Sequence, residues 1–229
     1  MKLWGILVAV LYLLILIMVV IPLTGLFGVS ASSTLPWWQN ILGAWKNFFS
    51  WFPEDAIPWV YLGVMLIAQG ALLSVPVEIA QKRPVTRRTV VPLVAASSSM
   101  MGLLAAGVFL AVNEVVRGAP SFTNNVLVIM YAVSLLVWFF WAVVFYRWSK
   151  KLEPRELLRR QCGYLLKGSI LELLIAVPAH IVARQRTDCC AGLHTFIGIT
   201  FGISVMLCCF GPGVFFLFVE RLKYLHRKR

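Results

Sequence analysis

The apolar positions of this chain gather into six long runs, near residues 3–23, 58–80, 90–115, 126–147, 168–183 and 195–219, parted by short polar connections. A hydrocarbon core of about 30 Å is crossed by about 20 helical residues, because lipid offers backbone N–H and C=O groups no partner outside the helix. The pattern therefore predicts an all-α integral membrane protein, with six transmembrane helices forming a single polytopic domain over 1–229.

Two other segments are apolar on one helical face only. Trp37, Trp38, Ile41, Leu42, Trp45, Phe48, Phe49 and Phe52 recur at steps of mostly three and four residues, which predicts an outer interfacial helix over 36–52. Trp37, Trp38, Trp45 and Phe49 would anchor it, since an indole ring suits the head-group layer, where its body is apolar and its N–H finds a polar partner. Over 150–166, Leu152, Leu158, Cys162, Leu165 and Leu166 lie near one stripe, with Lys151, Arg155, Arg159 and Arg160 largely away from it. That predicts a second, cytoplasmic interfacial amphipathic helix, starting at Glu153-Pro154 because proline is tolerated in a first turn.

Charge orients the spans. Of the 21 Lys and Arg, 17 fall on one side of the predicted membrane, leaving Lys46, Arg117, Arg184 and Arg186 on the other. Positive residues resist translocation, so the rich side is cytoplasmic, with both termini inside a cell inner or plasma membrane. Arg184 and Arg186, at the outer end of the fifth span, run against this rule. The first run also reads as a signal peptide, with Val29-Ser30-Ala31 resembling a cleavage site; it exceeds the usual h-region length, and a signal anchor fits better.

Composition narrows the class further. The chain is 60% hydrophobic and 13% charged, about half the charged share of a soluble domain, which leaves little length for one. Its net charge of +12 sits in juxtamembrane connections and the tail, which points to anionic lipid on the cytoplasmic side and away from nucleic acid.

One internal similarity bears on function. Leu72-Leu73-Ser74-Val75-Pro76-Val77-Glu78-Ile79 matches Leu174-Ile175-Ala176-Val177-Pro178-Ala179-His180-Ile181 at four positions of eight, a proline included. With three spans in each half, a duplication would be a 3+3 inverted repeat, and paired prolines that free backbone carbonyls at membrane depth would mark a central site. Small residues at four-residue spacing, Ser98, Gly102 and Ala106 in the third span and Gly198 and Gly202 in the sixth, suit close helix approach within the chain or in a homodimer.

Ionisable groups inside a membrane need a reason. Glu172 shares a helical face with Ala176, Ala179 and Ala183. It carries a proton or cation, or else pairs with Lys167 or a neighbouring helix end. Glu78 has Lys82 at i+4, and Glu114 and Glu220 stand at span ends. In the outer connection, Asp188, Cys189, Cys190 and His194, with His180 nearby, are donor types that copper or zinc accepts together, although the spacing matches no strong zinc motif. Adjacent thiols also allow redox chemistry. Arg184 and Arg186 pair with Asp188, Glu54 or Asp55, or form an anion entrance.

No nucleotide loop, H-E-x-x-H or serine–histidine arrangement is found, and three histidines leave little for acid–base catalysis. The leading expectation is a non-catalytic transporter or channel-type protein for a small solute or ion, its pathway lined by Glu172, Pro178, His180, Glu78 and Pro76. The alternative is an accessory or scaffold subunit of a larger membrane complex. A metal-binding or thiol-redox protein comes third.

Overall fold

The computed structural model describes the chain from Ile57 to Arg227 apart from residues 81–84, 86, 118–123 and 187–190, together with scattered positions before it. Five helices make up this part: α1 (Ile57–Ala80), α2 (Arg87–Arg117), α3 (Asn124–Ser149), α4 (Pro154–Arg184) and α5 (Leu193–Arg227). All five are long and apolar enough to cross a membrane, and there is no strand among the described residues. The expected outer helix over 36–52, with Trp37, Trp38, Trp45 and Phe49, lies outside the described residues, as does most of the first span. Of that span, the described Ile17 packs against the main apolar cluster.

Short connections make successive helices antiparallel. α2 is the central one, packed against each of the other four, while α4 and α5 form a second close pair and α1 lies across α2 and α5. On α1 the buried side is Leu62, Met65, Gln69, Leu72 and Pro76, a three-four spacing, whereas Val60, Val64 and Ile67 are exposed. Both sides are apolar, as a helix facing protein on one side and lipid on the other requires. The core joins Leu72 and Met65 of α1, Leu93 and Leu104 of α2, Leu157 and Leu165 of α4, and Val205 and Cys208 of α5. α3 stands at the edge, held mainly by α2, where Gly102 brings the helices together: a Cβ there would lie 3.0 Å from the Ser134 carbonyl oxygen. The small-residue faces of α2 and α5 are thus spent on contacts within the chain.

The segments expected as a cytoplasmic interfacial helix (150–166) and a separate short span (168–183) are one continuous helix, α4. It begins where the sequence suggests, at Pro154 after an extended Glu153. Its buried face runs without a break from Leu157, Leu158, Gln161 and Leu165 to Ser169, Glu172, Ala176, Ala179 and Ala183. The apolar stripe over 157–165 faces the bundle core, where Leu157, Leu158 and Leu165 join Val205, Cys208 and Cys209 of α5 in one cluster. This places Glu172 well inside a long helix. It stands about 18 Å along the axis from Arg184 and about 27 Å from Pro154, at 1.5 Å per residue.

Candidate functional site

Most hydroxyls within the bundle are satisfied by their own helices. Ser74 donates to the Ala71 carbonyl at 2.7 Å, Ser134 to Met130 at 2.8 Å and Thr200 to Phe196 at 3.0 Å. Such back-bonding takes them out of contention as ligands for anything else. Glu172 differs. Its side chain is fully buried, and among the described residues neither carboxylate oxygen has a hydrogen-bond partner.

The packing around that carboxylate explains how it fits. It projects from α4 into a junction with α2 and α5 lined by three glycines. A Cβ at Gly107 would come within 2.9 Å of Oε1, one at Gly198 within 3.2 Å of Oε1, and one at Gly202 would fall on Oε2 itself. α2 and α5 also touch closely here, since a Cβ at Gly198 would lie 2.9 Å from the Gly107 carbonyl oxygen. One turn below on α4, Ser169 donates to the Gly202 carbonyl. The Tyr61 hydroxyl of α1 lies beside Ser204 and within electrostatic range of Glu172. Taking an unpaired carboxylate out of water costs far more than burying the neutral acid. The expectation that Glu172, Ala176, Ala179 and Ala183 share a packed face holds; pairing with Lys167 does not. Lys167 is exposed, with its ammonium 5.7 Å from the centre of the Tyr164 ring.

A second polar centre joins α2, α4 and α5 at the end expected to be outer. Glu114, 1% exposed, accepts the backbone N–H of Gly192 at 2.6 Å through Oε1 and that of Thr195 at 2.7 Å through Oε2. It therefore caps the start of α5 from another helix, where backbone donors have no partner in their own helix and negative charge is favoured. Arg186 answers at the end of α2, donating to the Glu114 and Val115 carbonyls at 2.8 and 2.7 Å. His180 Nδ1 stands 2.9 Å from Thr195 Oγ1 and 3.1 Å from the Gly192 carbonyl, and Thr195 Oγ1 donates to that same carbonyl at 3.0 Å. Gly192 makes the turn possible with φ +92°, and a Cβ there would meet Arg184 Cδ at 2.8 Å.

The remaining expected site residues separate. Glu78 accepts from the Thr89 hydroxyl at 2.8 Å, far along α1 from the glycine cradle. Pro76 is buried but Pro178 is exposed, so the two prolines do not face a common interior. His180 belongs to the outer centre, about 12 Å along α4 from Glu172. Arg184 is exposed, and Arg186 is engaged by helix carbonyls. Asp188, Cys189 and Cys190 lie outside the described residues; His180 and the buried His194 lie within them. No group of three or more His, Cys, Asp or Glu suited to a metal occurs among the described residues.

Glu114 stood out in the sequence only as a span-end residue, and Gly107 was missed. For Glu114 the available signal was an acidic residue on the sparsely charged side with two unexplained arginines following in a later connection. Together these features define the class: among the described residues the protein is all-helical, with five helices apolar and long enough to span a membrane. Comparison with protein-family models, curated proteins and solved structures finds no match for this chain.

Proposed function

We propose that this protein is a small transporter or channel-type protein for a small solute or ion, in which Glu172 takes up and releases a proton or cation. The observation that supports this is the carboxyl group itself: fully buried, without a hydrogen-bond partner among the described residues, and received by glycines from two neighbouring helices. A fold optimised for stability alone would place an apolar side chain there, since a polar group without partners weakens it. The glycine walls bring the α2 and α5 backbones directly against the carboxyl group, so a change in its charge state acts on both helices at once. In this reading the Lys/Arg-rich ends face the cytoplasm, and α1 and α4, three crossings apart, run in opposite senses as an inverted repeat requires.

The test uses the purified chain in vesicles loaded with a proton-sensitive dye, and in parallel with cation indicators, under an imposed gradient. Wild type is expected to carry a flux that Glu172→Gln abolishes while yield and unfolding temperature hold. Equal flux through both proteins, or none through wild type, refutes the role. In vesicles at neutral pH, a hydrophobic carbodiimide, which reacts with a protonated carboxyl group, should label wild type and spare the variant.

A specific feature favours the accessory-subunit reading as second. Only 6% of the most apolar stretch of α3 is buried, against 28–56% in the other four helices. Leu135, Leu136, Phe139 and Phe140 are all exposed on it. A partner helix on this face would co-purify in fixed ratio, and replacing Phe139 and Phe140 by alanine would release it.

A further inference from the structure

Between the first half of α2 and the second half of α3, reaching as far as the α3–α4 turn, runs a cavity of about 1010 Å³. This is at the top of the range of about 300–1,000 Å³ typical of ligand sites. Its walls are apolar, with Val91, Val94 and Ser98 on α2 and Trp138 and Ala142 on α3. Of the three hydroxyl residues in the lining, Ser98 donates to the Ala95 carbonyl at 3.0 Å and Ser149 to the Tyr146 carbonyl at 2.8 Å, while Tyr146 stands beside Lys150 near the turn. An open groove with such walls at membrane depth suits hydrocarbon.

Length and charge specify which hydrocarbon. From Trp138 at the deep end to Lys150 at the mouth is about 18 Å of helix. One leaflet of a hydrocarbon core is about 15 Å thick. The groove therefore runs from the mid-plane to one surface and stops there. At that surface Lys150 is exposed, with its ammonium 4.6 Å from the centre of the Tyr146 ring, and Arg147 and Lys151 are exposed beside it. Of the nearby carboxylates, Glu156 is held by Arg160 at 2.8 Å, leaving Glu153 against three cations.

We propose that this groove binds one anionic glycerophospholipid from the leaflet at the Lys/Arg-rich end, its acyl chains laid between α2 and α3 and its phosphate at Lys150. The inference does not depend on transport, since it uses neither Glu172 nor the glycine cradle.

The test reads lipid retained through detergent purification from nanodiscs of equal phosphatidylglycerol and phosphatidylcholine, by native mass spectrometry of the full chain. Wild type should keep one phosphatidylglycerol. Ala142→Phe and Ala95→Phe, which fill the groove, should lose it. Lys150→Gln should still hold a lipid, with its preference for phosphatidylglycerol reduced about fivefold, the weight of one basic residue at a charged surface. Equal retention of both lipids by wild type, undiminished retention in both phenylalanine variants, or an unchanged preference in Lys150→Gln would each overturn the proposal. Lys150 is exposed, so that variant remains informative if a filled groove impairs folding.

Discussion

Replacing Gly202 by alanine probes the cradle directly. The new Cβ would fall on Glu172 Oε2 and lie 2.9 Å from Leu173 Cγ, so both side chains must move. Overpacking of this kind costs about 1–3 kcal/mol, and two displaced groups put Gly202→Ala in the upper half of that range. In a Glu172→Ala background the carboxylate is gone and, of the three nearest atoms, Leu173 Cγ remains. The same substitution should then cost less than about 1 kcal/mol, a coupling of about 1–2 kcal/mol between the two positions. Gly198→Ala is the contrast. Its Cβ meets the Gly107 backbone oxygen at 2.9 Å, which no rotamer change can relieve, so its cost should persist in both backgrounds. The assay is equilibrium unfolding in mixed micelles, titrated with a denaturing detergent and followed by tryptophan fluorescence. A Gly202→Ala cost within 0.5 kcal/mol of zero, or one equal in both backgrounds, would refute the cradle as described.

Two further outcomes test the outer centre. Glu114→Ala leaves the Gly192 and Thr195 N–H groups buried without their acceptor and should destabilise by about 2–5 kcal/mol in the same assay, while Glu114→Gln, which keeps one acceptor, should cost roughly half as much. Gly192→Ala should cost about 1–3 kcal/mol, because φ +92° strains a residue with a Cβ and that atom meets Arg184; amide exchange at the first turn of α5 should rise with it.

The hydrophobic runs alone were enough for the membrane class and for the approximate extents of α1, α2, α3 and α5, because a bilayer demands a long apolar helix whatever surrounds it. They also located Glu172 and its face through 3.6-residue periodicity. The division of α4 into two helices failed for a physical reason. Leucines on an amphipathic stripe, such as Leu158 and Leu165, satisfy the membrane boundary or a helix neighbour equally well, and only the helices packed beside them decide which.

The partners of each polar group were settled only by tertiary packing. A lone acidic residue near a span end gives no sign that it caps a helix 78 residues further on, as Glu114 does at Gly192. Nor do glycines at positions 107, 198 and 202 reveal from their spacing that they converge on one carboxylate. Within a membrane, local sequence fixes which segments must be helices, because backbone hydrogen bonds have no other outlet. Which faces of those helices meet is a matter of side-chain shape, and that is decided only when α2, α4 and α5 come together.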